Sequence, residues 1–559
     1  MKYYIYGRNR VAKDFLYIFS DIDIEGFIED GGLVDFDGCK CISLDEYDKT
    51  VNNHKIIICD WDKQEKIDNL VKHGLKYETD YLYVEDFFES LDDFKIPSDR
   101  QVAIWGTGKM ALYLLEQCPE LKYDVFIDSD VEKKIFQNKI VLHPEDISDW
   151  KKYFVIVAVA KDFEIVNRLK SNDMASCVDY INYRKMLTRP SKFVRKTLFD
   201  KSYYDIECKT MLNHLEILTN GNTCCCCTTF VKDYLDNIFD KDADELWNSN
   251  LHKIMCLSLV NRTYSFCKKD MCPLFVNQES KEIKCDNSKY AQMEKYPKVL
   301  VAGYDRSCNL SCITCRDHFE VAKGTEKQLV DKITEKIKTE YLDNASFVVL
   351  AGNGEVFSSA AYRDFYTDSR FHPKYIRFLT NGLLFTPQKW NEFDHSAGVN
   401  YMMTVSIDAA TAETYEKVRR GGRFETLKKN MEFASKLRRE GSLKYLRFNF
   451  VVQSENYKEM IAFVQWGEEL GVDEIFFTKV LNWGTYTEEE FRDISMMESD
   501  GVTPKPELLE VLNNPVIRDS KIVDLGTIQY SHRVDYSEKV ENYYMWELEK
   551  RGGKIFRSI

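Results

Sequence analysis

The 559-residue chain has little of what marks fibrous, disordered, secreted or membrane-spanning proteins. It contains only 11 prolines and 25 glycines, whereas 44% of its residues are hydrophobic and 13% aromatic. Such a composition excludes a wholly disordered or fibrous chain. No window approaches 18 consecutive apolar residues, and residues 1–7 lack the basic region and apolar stretch of a signal peptide. We therefore expect a cytoplasmic protein without a membrane span.

Positive charge is in the minority. The 77 lysines and arginines face 91 aspartates and glutamates, so the net charge is −14. Because binding to nucleic acid relies on clustered cations, we do not expect a nucleic-acid partner. A chain of this length exceeds one ordinary core and predicts several domains.

Cysteine is absent after Cys315, although the chain has 17 cysteines and 12 of them lie between Cys208 and Cys315. Reducing compartments keep thiols free, so such a cluster favours metal or redox chemistry over disulfides.

An internal repeat with an offset of about 99 residues opens the chain, with Gly7 matching Gly106. Each copy has a short apolar strand, a glycine turn, a helical stretch and a second strand that ends in an acid. Later strands match as well, at 55–59 and 154–158. The pattern predicts two α/β domains with parallel sheets, at residues 1–97 and 98–192.

The second copy carries a glycine turn, Gly106-Thr107-Gly108, where a phosphate could approach a helix N-terminus. Asp128 follows Gly106 by 22 residues, at the position of an acid that binds a ribose hydroxyl. This copy resembles the small Rossmann-like domain that precedes some nucleotide-sugar acetyltransferases. Such turns also occur only to pack a helix on a strand. The first copy lacks the second glycine and is interpreted as a degenerate scaffold.

Strands alternate with helical stretches again after residue 298. Six such units without a dinucleotide fingerprint predict a partial TIM-like (β/α)6 barrel at 293–485. Residues 193–292 form short pieces around a cysteine cluster and predict a small cluster-binding domain, and residues 486–559 form a C-terminal extension without a recognised motif. The predicted barrel strands lie at 299–304, 347–351, 376–380, 401–407, 446–452 and 474–480.

Three cysteines follow the first barrel strand in the spacing C-x3-C-x2-C: Cys308, Cys312 and Cys315. Loops at this end of the strands build active sites in such barrels. Three thiolates in this spacing can hold a 4Fe–4S cluster and leave one iron without a protein ligand. The alternative is part of a zinc site, which needs a fourth ligand; the next histidine is His318.

This spacing and placement resemble the radical S-adenosylmethionine (SAM) superfamily. The resemblance implies that the amino and carboxylate groups of SAM chelate the open iron. Reductive cleavage then gives methionine and a 5′-deoxyadenosyl radical, which takes a hydrogen atom from the substrate. It also implies a reducing partner such as flavodoxin or ferredoxin.

A second element of the superfamily follows the second strand. Gly352-Asn353-Gly354-Glu355 resembles the Gly-Gly-Glu-Pro element that holds the SAM amino group, although Asn353 and Val356 depart from it. The resemblance makes these four residues candidate SAM ligands.

Further matches follow strands three and four. Ser406 and Asp408 resemble the position that contacts the ribose of SAM, and the run at 414–422 is typical of the superfamily. Residues 380–382 end strand three. The aromatic residue that usually precedes the third cysteine is Thr314 here.

Cysteines upstream of the barrel resemble the auxiliary-cluster extension of SPASM or twitch type. The spacing C-x12-G-x4-C has a glycine, Gly221, for the turn of a hairpin, and residues 244–249 resemble the helix of that extension. A zinc ribbon is the alternative. The resemblance implies one auxiliary 4Fe–4S cluster with four ligands: Cys208, Cys226, Cys267 and Cys272.

The choice of ligand within the run 224–227 stays open. Alternation along a strand would put Cys224 and Cys226 on one face. Either Cys225 or Cys227 could replace Cys226 if the hairpin register slips by one residue.

The extension precedes the barrel, an order similar to that of bacterial proteins joined to cell-surface glycan machinery, and this resemblance extends through 482–485. It implies a small-molecule or glycan-type substrate, sugar-like or nucleotide-linked, that is oxidised or epimerised. Peptide modification is the competing activity, although the winged-helix domain frequent in peptide maturases is not visible. The non-enzymatic alternative is an iron–sulfur sensor or scaffold.

Whether the substrate radical is quenched by a hydrogen atom or oxidised depends on whether a thiol is available as donor. Epimerisation usually needs a cysteine as hydrogen-atom donor, and none follows Cys315. A donor would have to be a tyrosine or one of the remaining cysteines, so we favour oxidation. The candidate donors are Cys224, Cys225, Cys227, Cys256 and Cys285.

Overall fold

The computed structural model describes most of the chain in three parallel or largely parallel sheets. Among the described residues, no helix is both long enough and apolar enough to cross a membrane. The described residues are 1–29, 40–47, 54–160, 162–200, 208–231, 233–276, 295–350, 352–368, 370–395, 398–483 and 485–528.

The first sheet has five parallel strands in the spatial order 3-2-1-4-5. Helices connect strand one to strand two and strand four to strand five. The elements are β1 (Lys2–Tyr6), α1 (Arg10–Ile18), β2 (Ile24–Ile28), β3 (Lys40–Ile42), β4 (His54–Ile58), α2 (Gln64–Lys72) and β5 (Tyr81–Tyr83).

The second sheet repeats this arrangement and adds one short antiparallel strand, β8, at its edge. The elements are β6 (Gln101–Trp105), α3 (Lys109–Gln117), β7 (Val125–Ile127), β8 (Ile135–Phe136), β9 (Lys139–Leu142), β10 (Tyr153–Val157), α4 (Phe163–Ser171) and β11 (Tyr180–Asn182).

The 99-residue offset extends to the geometry of the glycine turns. Gly7 and Gly106 both have φ +123°, in the region that favours glycine. A Cβ atom on Gly7 would lie 2.6 Å from the carbonyl oxygen of Cys59, and one on Gly106 would lie 2.6 Å from that of Ala158. Packing of the turn against the neighbouring strand therefore requires glycine in both copies.

Short helices and a hairpin connect the repeats to the third sheet. Strand β12 pairs antiparallel with β13 and parallel with β14, so the cysteine-rich segment contributes a strand to the large sheet and a boundary at residue 293 divides that sheet. The elements are α5 (Tyr183–Leu187), α6 (Pro190–Phe199), β12 (His214–Leu218), β13 (Thr223–Cys224), α7 (Ala243–Trp247), α8 (Asn250–Val260), α9 (Pro273–Val276) and β14 (Val299–Gly303).

The third sheet contains all six predicted barrel strands, each beside the next in the chain. All are parallel, as the predicted α/β class requires. Its remaining elements are α10 (Gly324–Lys336), β15 (Phe347–Leu350), α11 (Asp364–Thr367), β16 (Tyr375–Thr380), α12 (Pro387–Trp390), β17 (Asn400–Ser406), α13 (Ala412–Val418), α14 (Phe424–Arg439), β18 (Leu443–Val452), α15 (Met460–Leu470), β19 (Glu474–Lys479), α16 (Glu488–Ile494), α17 (Pro506–Leu512), α18 (Pro515–Arg518) and β20 (Val523–Asp524).

The two faces of this sheet differ in burial. On β16, Ile376 and Phe378 are fully buried in the main core, whereas Tyr375, Arg377 and Leu379 are half-buried. Successive side chains of a strand point to opposite faces, so one face packs in the core and the other remains partly open. We call the half-buried side the inner face.

Candidate functional site

Every sulfur of the three-cysteine motif in the loop after β14 has an N–H donor, two from this loop and one from Arg419 after α13. Cys312 is buried, Cys308 is half-buried and Cys315 is exposed, so the loop opens to one side. The donors are Leu310 N to Cys308 Sγ at 3.4 Å, Arg419 Nη1 to Cys312 Sγ at 3.5 Å and Arg316 Nε to Cys315 Sγ at 3.4 Å.

These donors suit anionic sulfur. Burial above all, with a contribution from nearby Glu355, raises the pKa of Cys308 to about 11, although the N–H of Leu310 and the charge of Arg316 act to lower it. Hydrogen bonds to sulfur and local cations are the features by which proteins stabilise iron–sulfur clusters. Within the described residues, no three His, Cys, Asp or Glu side chains group closely enough to be recognised as a site for a metal ion. The fit of the loop to an iron–sulfur cluster therefore rests on the chemistry of its donors, since thiolates are the ligands of such clusters.

The segment after α13 is hydrogen-bonded to the loop that carries Cys308, Cys312 and Cys315, which we call the cysteine loop. Ser311 N donates to Arg420 O at 3.1 Å, and Arg420 Nε donates back to Ser311 O at 2.7 Å. Gly421 has φ +89°, and a Cβ there would lie 2.9 Å from the ring of Phe319. The superfamily-like run at 414–422 therefore positions this loop by close backbone packing.

Gly354 packs directly against the chain that enters the cysteine loop. A Cβ on Gly354 would lie 2.5 Å from Asp305 O and 2.7 Å from Ser307 O. Glu355 N donates to Ser307 O at 2.8 Å. Only glycine allows this approach, because the opposing atoms belong to the backbone.

Glu355 is 1% exposed and faces the end of β16. Its carboxylate accepts hydrogen bonds from Thr380 Oγ1 at 2.6 Å, Asn381 N at 2.6 Å and Phe357 N at 3.2 Å. Burial raises its pKa to about 7, although these donors lower it. Asn381 also donates to Asn309 Oδ1 at 2.8 Å, which ties strand three to the cysteine loop.

Asn353 has a structural role where the superfamily element has glycine. Its Nδ2 donates to Gly303 O at 2.7 Å, and its carbonyl accepts from Arg316 Nη2 at 2.5 Å. The side chain and carbonyl of Asn353 thus join the end of β14 to the cysteine loop. Gly352 beside it is exposed.

Asp408 is 3% exposed, and its carboxylate is engaged within the protein. Its Oδ2 lies 2.6 Å from Arg419 Nη2, and its Oδ1 accepts from Val451 N at 2.8 Å. Burial raises the pKa of Asp408, and Arg419 lowers it in part. Asp408 therefore orients the arginine that donates to Cys312. Ser406 is half-buried at the end of β17.

Cys208 contributes to the raised pKa of the other three predicted auxiliary ligands. Burial is the largest cause that raises the pKa of Cys226 and of Cys267, and the charge of Cys208 is the next cause in both. Burial raises the pKa of Cys272 to about 11, with Cys208 again contributing.

The strand that was predicted to place Cys224 and Cys226 on one face does not extend through residues 224–227. Strand β13 ends at Cys224, so Cys226 lies beyond it and the shared face predicted for these two residues does not form. The turn of the hairpin does contain Gly221, at φ +76°.

Most candidate hydrogen-atom donors are enclosed. Cys224, Cys225 and Cys256 are at most 1% exposed, whereas Cys227 is half-buried. Cys285 lies outside the described residues.

Lys479 ends β19 and is buried, with Nζ donating to Gly501 O at 2.7 Å. Burial lowers its pKa, and Asp270, which lies between Cys267 and Cys272, raises it.

Comparison with known proteins finds similar solved structures. No protein-family model and no curated protein matches the chain. Streptococcus suis SuiB bound to S-adenosylmethionine is 16% identical over 44% of this chain and 57% of that one, with a TM-score of 0.29.

The enzyme anSMEcpe with bound AdoMet and Kp18Cys peptide is 14% identical over 38% of this chain and 57% of that one, with a TM-score of 0.26. Methylornithine synthase (PylB) is 12% identical over 46% of this chain and 81% of that one, with a TM-score of 0.27. The chain thus spans just over half the length of SuiB and anSMEcpe.

The glycine turn of the second repeat is hydrogen-bonded to Asp128, the acid that the sequence predicts to bind a ribose hydroxyl. The Oδ2 atom of Asp128 accepts from the backbone N and the hydroxyl of Thr107, and Oδ1 accepts from Asp130 N at 3.0 Å. Gly108 precedes α3, and a Cβ there would meet nothing within 4 Å. The helix terminus has space, but both oxygens of Asp128 have partners.

Proposed function

We propose that this chain is a radical SAM enzyme in which Cys308, Cys312 and Cys315 hold a 4Fe–4S cluster. The observation that carries the proposal is the N–H donor at each of the three sulfurs. When bound, the cluster and SAM supply reductive cleavage to methionine and a 5′-deoxyadenosyl radical that takes a hydrogen atom from the substrate. A flavodoxin or ferredoxin is the proposed reductant.

The residues around the loop support SAM binding in this proposal. Gly352, Gly354 and Glu355 are proposed to hold the SAM amino group, as their resemblance to the superfamily element implies, and the buried carboxylate of Glu355 suits a cationic partner. Because Asp408 is engaged by Arg419, the Ser406 hydroxyl is the group proposed to contact the ribose. The six consecutive parallel strands support a partial TIM-like barrel.

The upstream cysteines are proposed to hold one auxiliary 4Fe–4S cluster of the SPASM or twitch type. Thiolates are the ligands that such iron requires. An auxiliary cluster held there supplies an acceptor for the electron that an oxidised substrate gives up. Among the described candidate hydrogen-atom donors, Cys224, Cys225 and Cys256 are buried and only Cys227 is half-buried, so we favour oxidation over epimerisation.

The substrate is proposed to be sugar-like or a peptide. The two N-terminal units are proposed to be Rossmann-like repeats, which favour a nucleotide-linked sugar. The engagement of Asp128 by Thr107 removes one feature that favoured a nucleotide, which keeps peptide modification as the second candidate.

Electron paramagnetic resonance tests whether one iron of the proposed cluster lacks a protein ligand and can bind SAM. Reduced, anaerobically reconstituted protein should give a cluster signal that changes when SAM is added, because SAM would coordinate the iron without a protein ligand. The Cys208→Ala/Cys272→Ala variant should keep this SAM-dependent change. A signal indifferent to SAM in both proteins would contradict the proposal and favour a sensor or scaffold.

A further inference from the structure

The inner face of the large sheet carries buried polar atoms that have no hydrogen-bond partner in the described part of the chain. They come from four side chains on three strands. The strand register places these side chains on one face, with Val301, Val349, Arg377 and Met402 in a single row. The atoms are His214 Nε2, Glu216 Oε2, Arg377 Nε and Thr404 Oγ1.

Arg377 lies between two aromatic rings. Its guanidinium carbon is 5.2 Å from the ring centre of Phe347 and 5.2 Å from that of Tyr445. Aromatic rings hold a guanidinium through its faces and leave the N–H groups in its plane for acceptors. A buried donor without an acceptor destabilises the folded protein, and more so when it is charged. The rings therefore orient Arg377 without pairing its Nε.

A second arginine and one carboxylate lie near Arg377. Arg447 lies nearby and, after burial, is a cause that lowers the pKa of Arg377. The nearby carboxylate of Glu474 lies 3.4 Å from Arg447 Nη1 and also accepts from the Tyr445 hydroxyl. Arg447 Nε donates to Asn449 Oδ1 at 2.8 Å. Arg447 thus has acceptors within the protein, whereas Arg377 Nε has none among the residues that the structure describes.

We infer that Arg377 and Thr404 form a binding site for an oxoanionic group of the substrate, either a carboxylate or a phosphate. A guanidinium presents a planar fork of donors that matches such groups. Thr404 is 3% exposed, one strand away, and its hydroxyl adds a further donor. The inference rests on the proposed function only in calling the anion a part of the substrate.

The position of Arg377 suits an anchor for a substrate that reacts at the edge of the sheet. Arg377 lies three residues before Thr380, which contacts Glu355. Three extended residues span about 10 Å. A substrate held by its anionic group at Arg377 would therefore extend toward the cysteine loop.

Calorimetric titration of the holoprotein with sodium phosphate and, separately, sodium succinate tests this inference, with potassium chloride at matched ionic strength as reference. We expect at least one anion to bind beyond the chloride reference and Arg377→Gln to weaken it at least tenfold. Phosphate binding would indicate a phosphorylated substrate, and succinate binding a carboxylate. The control Arg370→Gln, at an arginine whose side chain is 79% exposed, should bind as wild type does.

Absence of anion binding by wild type, or unchanged binding by Arg377→Gln, would overturn the inference. Should Arg377→Gln fail to fold, Thr404→Val serves instead, with at least threefold weaker binding expected and unchanged binding contradicting the site. Cleavage of SAM by wild type is measured separately. Wild type that binds an anion but never cleaves SAM would refute the proposed function alone, and wild type that cleaves SAM but binds no anion would refute this site alone.

Discussion

The ion pair between Arg419 and Asp408 offers a quantitative test of how the cysteine loop is held. The two side chains are only 11% and 5% exposed and lie 2.6 Å apart. Replacing one partner of a buried pair leaves the other charge unpaired and typically costs about 3–5 kcal/mol. We therefore expect Arg419→Met to lower the free energy of unfolding by about that amount.

A surface pair in the same region provides the matched control. Arg423 lies 3.1 Å from Glu416, and their side chains are 77% and 39% exposed. Exposed pairs contribute about 0–1 kcal/mol, so Arg423→Met should have little effect.

Urea denaturation of both apoproteins, followed by tryptophan fluorescence, measures the difference. Iron content after anaerobic reconstitution gives a second readout, because Arg419 also donates to Cys312 Sγ at 3.5 Å. Arg419→Met should retain less iron than Arg423→Met. Adding Asp408→Asn to Arg419→Met should recover part of the stability, since no charge then remains unpaired. Equal costs for the two arginine substitutions would refute the reasoning.

Three further predictions concern the same region. Gly354→Ala should lower the melting temperature and the SAM-cleavage rate, because its Cβ would lie 2.5 Å from a backbone oxygen. Gly108→Ala is the control, because a Cβ at that position would lie in open space. Equal effects of the two substitutions would contradict the packing argument. Burial raises the pKa of Glu355 to about 7 from an ordinary value of 4.5, so the folded protein binds the carboxyl proton of Glu355 more tightly than the unfolded chain does. The contribution of the protonated Glu355 to stability therefore declines as the pH rises from the ordinary pKa to the raised one. Glu355→Gln should lessen the loss of melting temperature between pH 5 and pH 8, and an unchanged loss would refute this. Alanine at Cys308, Cys312 and Cys315 should remove about one cluster of iron and leave a second 4Fe–4S absorption that disappears only when four more cysteines are replaced: Cys208, Cys226, Cys267 and Cys272.

The strands and the repeat could be predicted because their signals are local. Buried parallel strands form apolar runs, and the six barrel strands differ from the predicted positions by three residues at most, at Leu443. The turn glycines Gly7 and Gly106 mark equivalent positions because the same close approach to a strand requires them.

Contacts between distant segments could not be predicted in this way. Nothing local indicates that β12 pairs with β14, since the strands are separated by the whole cysteine-rich segment. The engagement of Asp408 by Arg419 depends on where the loop after α13 folds back. The unpartnered Nε of Arg377 likewise follows from the neighbours of β16 and not from its own sequence.

The measurement that tests the central claim most directly is formation of 5′-deoxyadenosine by the anaerobically reconstituted, dithionite-reduced protein with SAM. The account predicts 5′-deoxyadenosine and methionine in equal amounts from wild type, and none from the variant with alanine at Cys308, Cys312 and Cys315. Cleavage of SAM at the wild-type rate by that variant, or no cleavage by cluster-loaded wild type even with candidate sugar and peptide substrates, would contradict it.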